Sequence, residues 1–304
     1  MSTQDTDPLN GLDGVNWAQF TDAYGPADAV PTVLTQLKSA DPDVYLPALD
    51  ECWSRICHQS TRYSASVEAV PFLYSLIDHQ ATKNRHNLLF LLTGLAVGDS
   101  LWCVPNGVNI TEWERRLANI EDSKNQQYAL CELKTYETVE QGLASIVRCL
   151  EEKSPAMRWT AAHALALFPR RFDMVVPPLL NLLRQETCKV VRGATVLSLA
   201  ILFGPLDEGD SRRVNFISEV QDHYDSSCGK GTADDVFIWF CALALITLGR
   251  VQEEYVEKAE RLEKDATYRA SIQASIDPDA EFSMELFEIA TAVLEKTQEP
   301  STTR

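Results

Sequence analysis

The chain has 304 residues, 45 % of them hydrophobic and 23 % charged, with 27 Lys and Arg against 44 Asp and Glu for a formal net charge of -17. Such a composition buries a core, which excludes global disorder, and the length allows one or two ordinary domains or one elongated array. The acidic balance repels phosphate and argues against duplex DNA or RNA as the partner.

Residues 1–15 carry neither a basic nor an apolar segment of the secretory kind and are expected to be disordered. One continuous domain is predicted over residues 16–296, with a disordered tail at 297–304. The first helix signal is Val30, Val33, Leu34 and Leu37, an apolar stencil that marks one helix face. It returns as Val70, Leu73, Tyr74 and Ile77, then as Leu143, Ile146, Val147 and Leu150. Further copies are Val176, Leu179, Leu180 and Leu183, and Leu286, Ile289, Ala290 and Val293. Pro31, Pro71 and Pro177 follow the first apolar position in three copies and are predicted to sit in a first turn, where no donor is needed.

A second class of helix lies between these. Its members are Leu88, Leu91, Leu92 and Leu95; Met157, Ala161, Ala164, Leu165 and Phe168; Val190, Ala194, Leu197 and Ile201; and Phe237, Phe240, Cys241, Ala244, Leu245 and Leu248. Gly98, Pro169, Gly204 and Gly249 stand where these helices stop, the glycines as left-handed caps. Two insertions interrupt the alternation. Residues 99–137 begin with a loop holding Trp102 and continue into a short helix with Trp113, Leu117 and Ile120 on one face and a capping box from Thr111 to Glu114. Residues 207–234 hold a degenerate helix around Val214, Ile217 and Val220, then Gly229-Lys230-Gly231-Thr232, a loop without the spacing of a phosphate loop. Strand signals and hairpin dipeptides are nearly absent.

Two helices recurring at 33 to 47 residues predict an all-α fold, a right-handed α-solenoid of about five to six helical hairpins in which stacking completes each core. An irregular helical bundle is the alternative. The run Ser154-Pro155-Ala156-Met157-Arg158-Trp159-Thr160-Ala161-Ala162-His163-Ala164-Leu165 resembles the second helix of a HEAT repeat, and so does Lys189-Val190-Val191-Arg192-Gly193-Ala194-Thr195-Val196-Leu197. Arg158 and Arg192 match the arginine that opens the inner helix in that family, while the acid such repeats often carry before it is missing ahead of Arg158. The stretch from His58 to Tyr63 and on through Pro71-Phe72-Leu73 is similar to a group of HEAT-like bacterial proteins of unassigned role. The resemblance covers roughly residues 29–98 and 139–249 and implies the fold, not an activity.

Chemistry is harder to find. The eight cysteines form no C-x-x-C pair and read as reduced thiols, several in the core, which places the protein in the cytoplasm. Cys52, Cys57 and His58 fit no zinc template, so no metal or other cofactor is predicted. The apolar runs at 236–248 and 193–206 are shorter than the roughly 20 residues that span a bilayer, so no membrane role is expected. His163 stands among alanines and reads as a packed side chain rather than a base. There is no nucleophile elbow, H-E-x-x-H or dinucleotide fingerprint.

The expected function is therefore non-enzymatic protein binding, with a partner that presents basic patches and no direct nucleic acid. Net charge is -7 over residues 1–60, +1 over 61–204 and -11 over 205–304. One specific version is an immunity- or antitoxin-like inhibitor of a basic protein. The rival is a HEAT-like enzyme, either a nucleic-acid repair glycosylase or a cofactor lyase. Candidate contacts are His58, Arg62 and Tyr63 between two apolar helices, Trp102 and Trp113 in the insertion, and Asp234 and Asp235 on an acidic second helix. The competing reading of the first two groups is structural, with Arg62 and Tyr63 capping a turn and the tryptophans clamping the insertion.

Overall fold

The spacing of apolar positions becomes helix almost everywhere in the computed structural model, which describes residues 7–99, 107–228, 235–275 and 288–295. The fold class is all-α, with one two-stranded hairpin among the described residues. Two compact units divide the chain: Met1–Ser100 with Asn109–Arg148, and Leu101–Val108 with Cys149–Arg304.

The first unit holds α1 (Val30–Gln36), α2 (Pro42–Ile56), α3 (Ser64–Asp78), α4 (Arg85–Val97), α5 (Ile110–Ala118) and α6 (Ser123–Gln141), with α7 (Leu143–Cys149) closing it. Helices pair in sequence, α1 with α2 and α3 with α4, and also two apart, α1 with α3 and α2 with α4. The stencil residues Val30, Val33, Leu34, Leu37, Val70, Leu73, Tyr74 and Ile77 are all buried, as the periodicity requires.

Three features depart from the sequence reading. Pro31 does occupy a first turn, but Pro71, Pro177 and Pro178 lie inside helices, as does Pro47. Pro47, Pro71 and Pro177 face solvent, where the carbonyl each leaves without an N–H partner can turn to water. The cap of α5 is Asn109, whose Oδ1 accepts the Glu112 N–H at 3.0 Å, and Thr111 lies within the helix. Third, the insertion contributes α6, which packs on both α3 and α4. Its inner face is Tyr128, Glu132, Thr135, Tyr136 and Val139, too polar for an apolar pattern to register. Tyr74 of α3 locks onto it, donating to the Val139 carbonyl at 2.6 Å, and its ring fills the space that a Cβ on Gly142 would need.

Ahead of α1, residues 7–15 form turns and a short 3-10 segment that bury Leu9 and Leu12, while residues 1–6 lie outside the described residues. The Trp17 indole donates to the Leu12 carbonyl at 3.1 Å and packs on Phe72 of α3. A hairpin follows, β1 (Thr21–Asp22) against β2 (Gly25–Pro26). Its Ala23-Tyr24 turn has no hairpin dipeptide and is fixed by one local bond, Tyr24 N–H to Asp22 Oδ1 at 2.8 Å, and one tertiary bond, Ala23 N–H to the Arg55 carbonyl at 2.9 Å.

The second unit holds α8 (Pro155–Ala166), α9 (Phe172–Gln185), α10 (Lys189–Phe203), α11 (Ser211–Ser227), α12 (Asp235–Thr247), α13 (Glu253–Lys264) and α14 (Ala266–Ser275), with residues 288–295 also helical. Here α10 lies between α8 and α12, and its residues from Gly193 to Phe203 are all buried. Close approach is set by Gly193: a Cβ there would run into the Phe240 ring of α12. The helix at 211–227 was foreseen, but its buried face is Phe216, Val220 and Tyr224, while Val214 is exposed. Gly98 and Gly249 do take positive φ where helices end; Gly204 has φ -54 and stays right-handed.

Arg158 and Arg192 behave differently from one another. Arg158 reaches forward to Glu186 in the turn before α10, at 2.6 and 3.1 Å, and also donates to the Glu152 and Lys153 carbonyls. Arg192 lies over the Phe237 ring at 4.2 Å. The acid absent ahead of Arg158 is thus supplied by Glu186, 28 residues further along the chain. Burial pushes the Glu186 carboxyl up, but the Arg158 guanidinium and the Cys188 N–H more than offset it and hold the group below the usual glutamate range. A depressed carboxylate contributes stability above its unfolded pKa and loses it on acidification. Wild-type unfolding free energy should therefore fall between about pH 5 and pH 3 more steeply than that of Glu186→Gln, measured by urea titration at each pH. Parallel curves would remove this pair from the pH dependence.

Candidate functional site

The sequence placed its first site between two apolar helices, and the backbone there is unusual. Gln59 and Ser60 have φ of 47° and 64°, left-handed values that non-glycine residues seldom adopt. The turn is held from below. The Arg62 guanidinium donates to the Ser60 carbonyl, and Gly98 at the end of α4 has no Cβ to collide with either group.

Arg62 is buried, at 1 % exposure, among residues the sequence treated as separate. Its guanidinium sits 5.7 Å from the Trp113 ring centroid on α5 and 3.7 Å from Glu132 on α6. Trp113 in turn packs edge-on against Tyr136, which is fully buried. Burial pushes the Glu132 carboxyl up, and the Arg62 charge pulls it part of the way back. Arg62 is thus placed beneath the turn, where it holds the Ser60 carbonyl, as the structural reading of this residue expects. Trp113 is half-buried and clamps α5 onto that arginine.

What the buried arginine presents outward is a row of rings. His58 packs against Tyr24 at 5.9 Å, and Tyr63 meets Tyr128 edge-on at 5.9 Å. Tyr63 starts α3, its N–H bonded to Ser66 Oγ at 2.7 Å, while that hydroxyl donates to the Ile56 carbonyl. Burial first, then the neighbouring Tyr128 and Asp22, push the Tyr63 phenol up, and the adjacent Ser64 Oγ accepts the Thr21 N–H of the hairpin at 2.8 Å. Arg55 lies 5.3 Å from the Tyr24 centroid and bonds Asp22 at 2.8 Å and Glu51 at 2.6 Å. Tyr24, Tyr128 and Glu132 were not anticipated. Tyr24 gave no signal because its place depends on the hairpin turn, and Glu132 looked like an ordinary surface acid on a polar helix.

Trp102 and Asp234 lie outside the described residues, as does the 229–232 loop; Asp235 opens α12, and its side chain also lies outside them. The exposed acids of the second unit are better seen on α13, where Glu253, Glu254 and Glu257 face solvent.

Reactive groups are muted by their surroundings. Burial pushes the Cys52 and Cys57 thiols up to about 12 and the His163 imidazole down to about 4, so all three are neutral near pH 7. Among the described residues no group of three or more His, Cys, Asp or Glu side chains is placed to hold a metal ion, and no helix is long and apolar enough to cross a membrane. No protein-family model, curated protein or solved structure matches the chain.

Proposed function

We propose that the chain is a non-enzymatic protein-binding module, a right-handed HEAT-like α-solenoid of five to six hairpins that engages a partner with basic patches. The side-by-side helices within each unit, α1 with α3 and α8 with α10 and α12, support stacked hairpins. Buried thiols such as Cys52, Cys149 and Cys241 suit a reducing compartment, the cytoplasm. The observation that carries the reading is the exposed acidic run Glu253, Glu254 and Glu257 on a chain of net charge -17. Such a surface speeds encounter with a cationic protein and makes it salt-sensitive. An immunity- or antitoxin-like inhibitor that covers the phosphate-binding surface of a basic protein is the most specific form of this proposal.

The experiment is affinity purification from the native host, followed by stopped-flow association of the captured protein with this chain. A basic partner whose association rate drops at least about tenfold from low to physiological salt is the expected result. Base excision from a lesion-bearing duplex, or tetrapyrrole transfer, by the purified protein would overturn the proposal in favour of an enzyme.

A further inference from the structure

Tyr24 is the most exposed large apolar side chain among the described residues, at 63 %. A side chain of that kind on a mobile loop would mean little, but this one is fixed. The hairpin ladder, the Ala23 N–H on the Arg55 carbonyl and the Tyr24 N–H on Asp22 set its backbone, and His58 braces its ring. Tyr63 and Tyr128 extend the row, both half-exposed. A pre-ordered tyrosine ridge binds at little cost in conformational freedom.

The chemistry of the ridge points to one class of occupant. Beside Tyr24 lie the fully buried Asp22 carboxylate and the half-exposed Glu51, which share the Arg55 guanidinium and leave that group with one negative charge, in a region whose first 60 residues carry net charge -7. Arg55 over Tyr24 already shows a guanidinium resting on this surface with a carboxylate at each side. An electron-rich ring face next to unbalanced carboxylates favours a cation over an anion or a purely aliphatic group.

We propose that the Tyr24–His58–Tyr63–Tyr128 ridge is the surface that docks an arginine- or lysine-bearing segment of a protein partner. This rests on the protein-binding reading and adds where recognition takes place and what is recognised. The buried Arg62 serves it indirectly, by holding the His58–Ser60 turn.

The test uses the full chain and a fluorescein-labelled dodecapeptide of alternating arginine and serine, followed by anisotropy at physiological salt. Tyr24→Ala should weaken binding about tenfold and Tyr24→Phe less than about twofold, since the ring face carries the contact. Both variants should melt with the wild type, because the side chain is exposed. The control change Asp207→Asn and Glu208→Gln, two exposed acids outside both surfaces, should leave the peptide affinity nearly unchanged. If Glu253→Gln with Glu257→Gln on α13 loses binding while Tyr24→Ala keeps it, the ridge is not the site, and the acidic-surface reading of function still stands. Failure of the wild type to bind the peptide also overturns the ridge, and the function then rests on the captured partner alone.

Discussion

Replacing Arg62 by alanine should cost about 3–5 kcal/mol, the range found when one partner of a buried ion pair is removed. The guanidinium is 1 % exposed, and its loss leaves Glu132 without its counter-charge, Trp113 without a surface to cover and the left-handed Ser60 without its anchor. Urea unfolding of Arg62→Ala, Glu132→Leu and the Arg62→Met/Glu132→Leu pair measures this. The pair should be closer to wild type than Arg62→Ala, because an apolar filling of similar volume removes both the charge and its need for a partner. There is also a signature in pH. Without Arg62 the Glu132 carboxyl rises further above its unfolded value, so the folded variant binds more protons than the unfolded chain. Its stability deficit should then narrow as pH falls through the carboxylate range. A change within about 0.5 kcal/mol of wild type would mark Arg62 as a surface residue.

That expectation follows the structural one of the two readings the sequence leaves open for Arg62, a side chain that caps a turn rather than one that meets a partner, and the reason both stay open is physical. The apolar stencil reports which helix face is buried, and at Val30, Leu73 and Leu179 it reports correctly. It is blind to a face whose buried members are polar. The inner face of α6 has Glu132 and Thr135 where a periodic pattern needs aliphatic residues, because that is the face turned to an arginine. The unread helix and the open reading of Arg62 share one cause: an arginine buried against a partly exposed glutamate leaves no trace in hydrophobic periodicity. His58 and Tyr63 stay legible as a place where the pattern breaks, but their neighbour Tyr24 comes from a hairpin held by the Asp22 side chain and by the Arg55 carbonyl, and no local signal encodes the second of these.

Glycine marks the other limit. Gly193 lies within a sequence that resembles a HEAT inner helix, where small residues are expected at close-packing positions, and the structure gives that smallness a partner. Alanine in a helix ordinarily gains about 0.5–1 kcal/mol over glycine. At Gly193 a Cβ would overlap the Phe240 ring and press on Phe240 Cβ at 2.8 Å, so the ring cannot simply swing aside. Overpacking of this kind costs about 1–3 kcal/mol, occasionally more, and it outweighs the propensity gain. Gly193→Ala should therefore be destabilising, and Gly193→Val more so, by separating α10 from α12. Gly209 has nothing within 4 Å of its added Cβ and serves as the control, with Gly209→Ala neutral or stabilising by up to about 1 kcal/mol. The cause is isolated by adding Phe240→Leu, which shortens the opposing side chain. In a double-mutant cycle the pair should cost less than the sum of the two single changes, since the smaller leucine makes room for the added Cβ and that Cβ fills part of the space the ring leaves. Strict additivity would mean that Gly193 and Phe240 do not touch, and the α10–α12 packing would have to be redrawn.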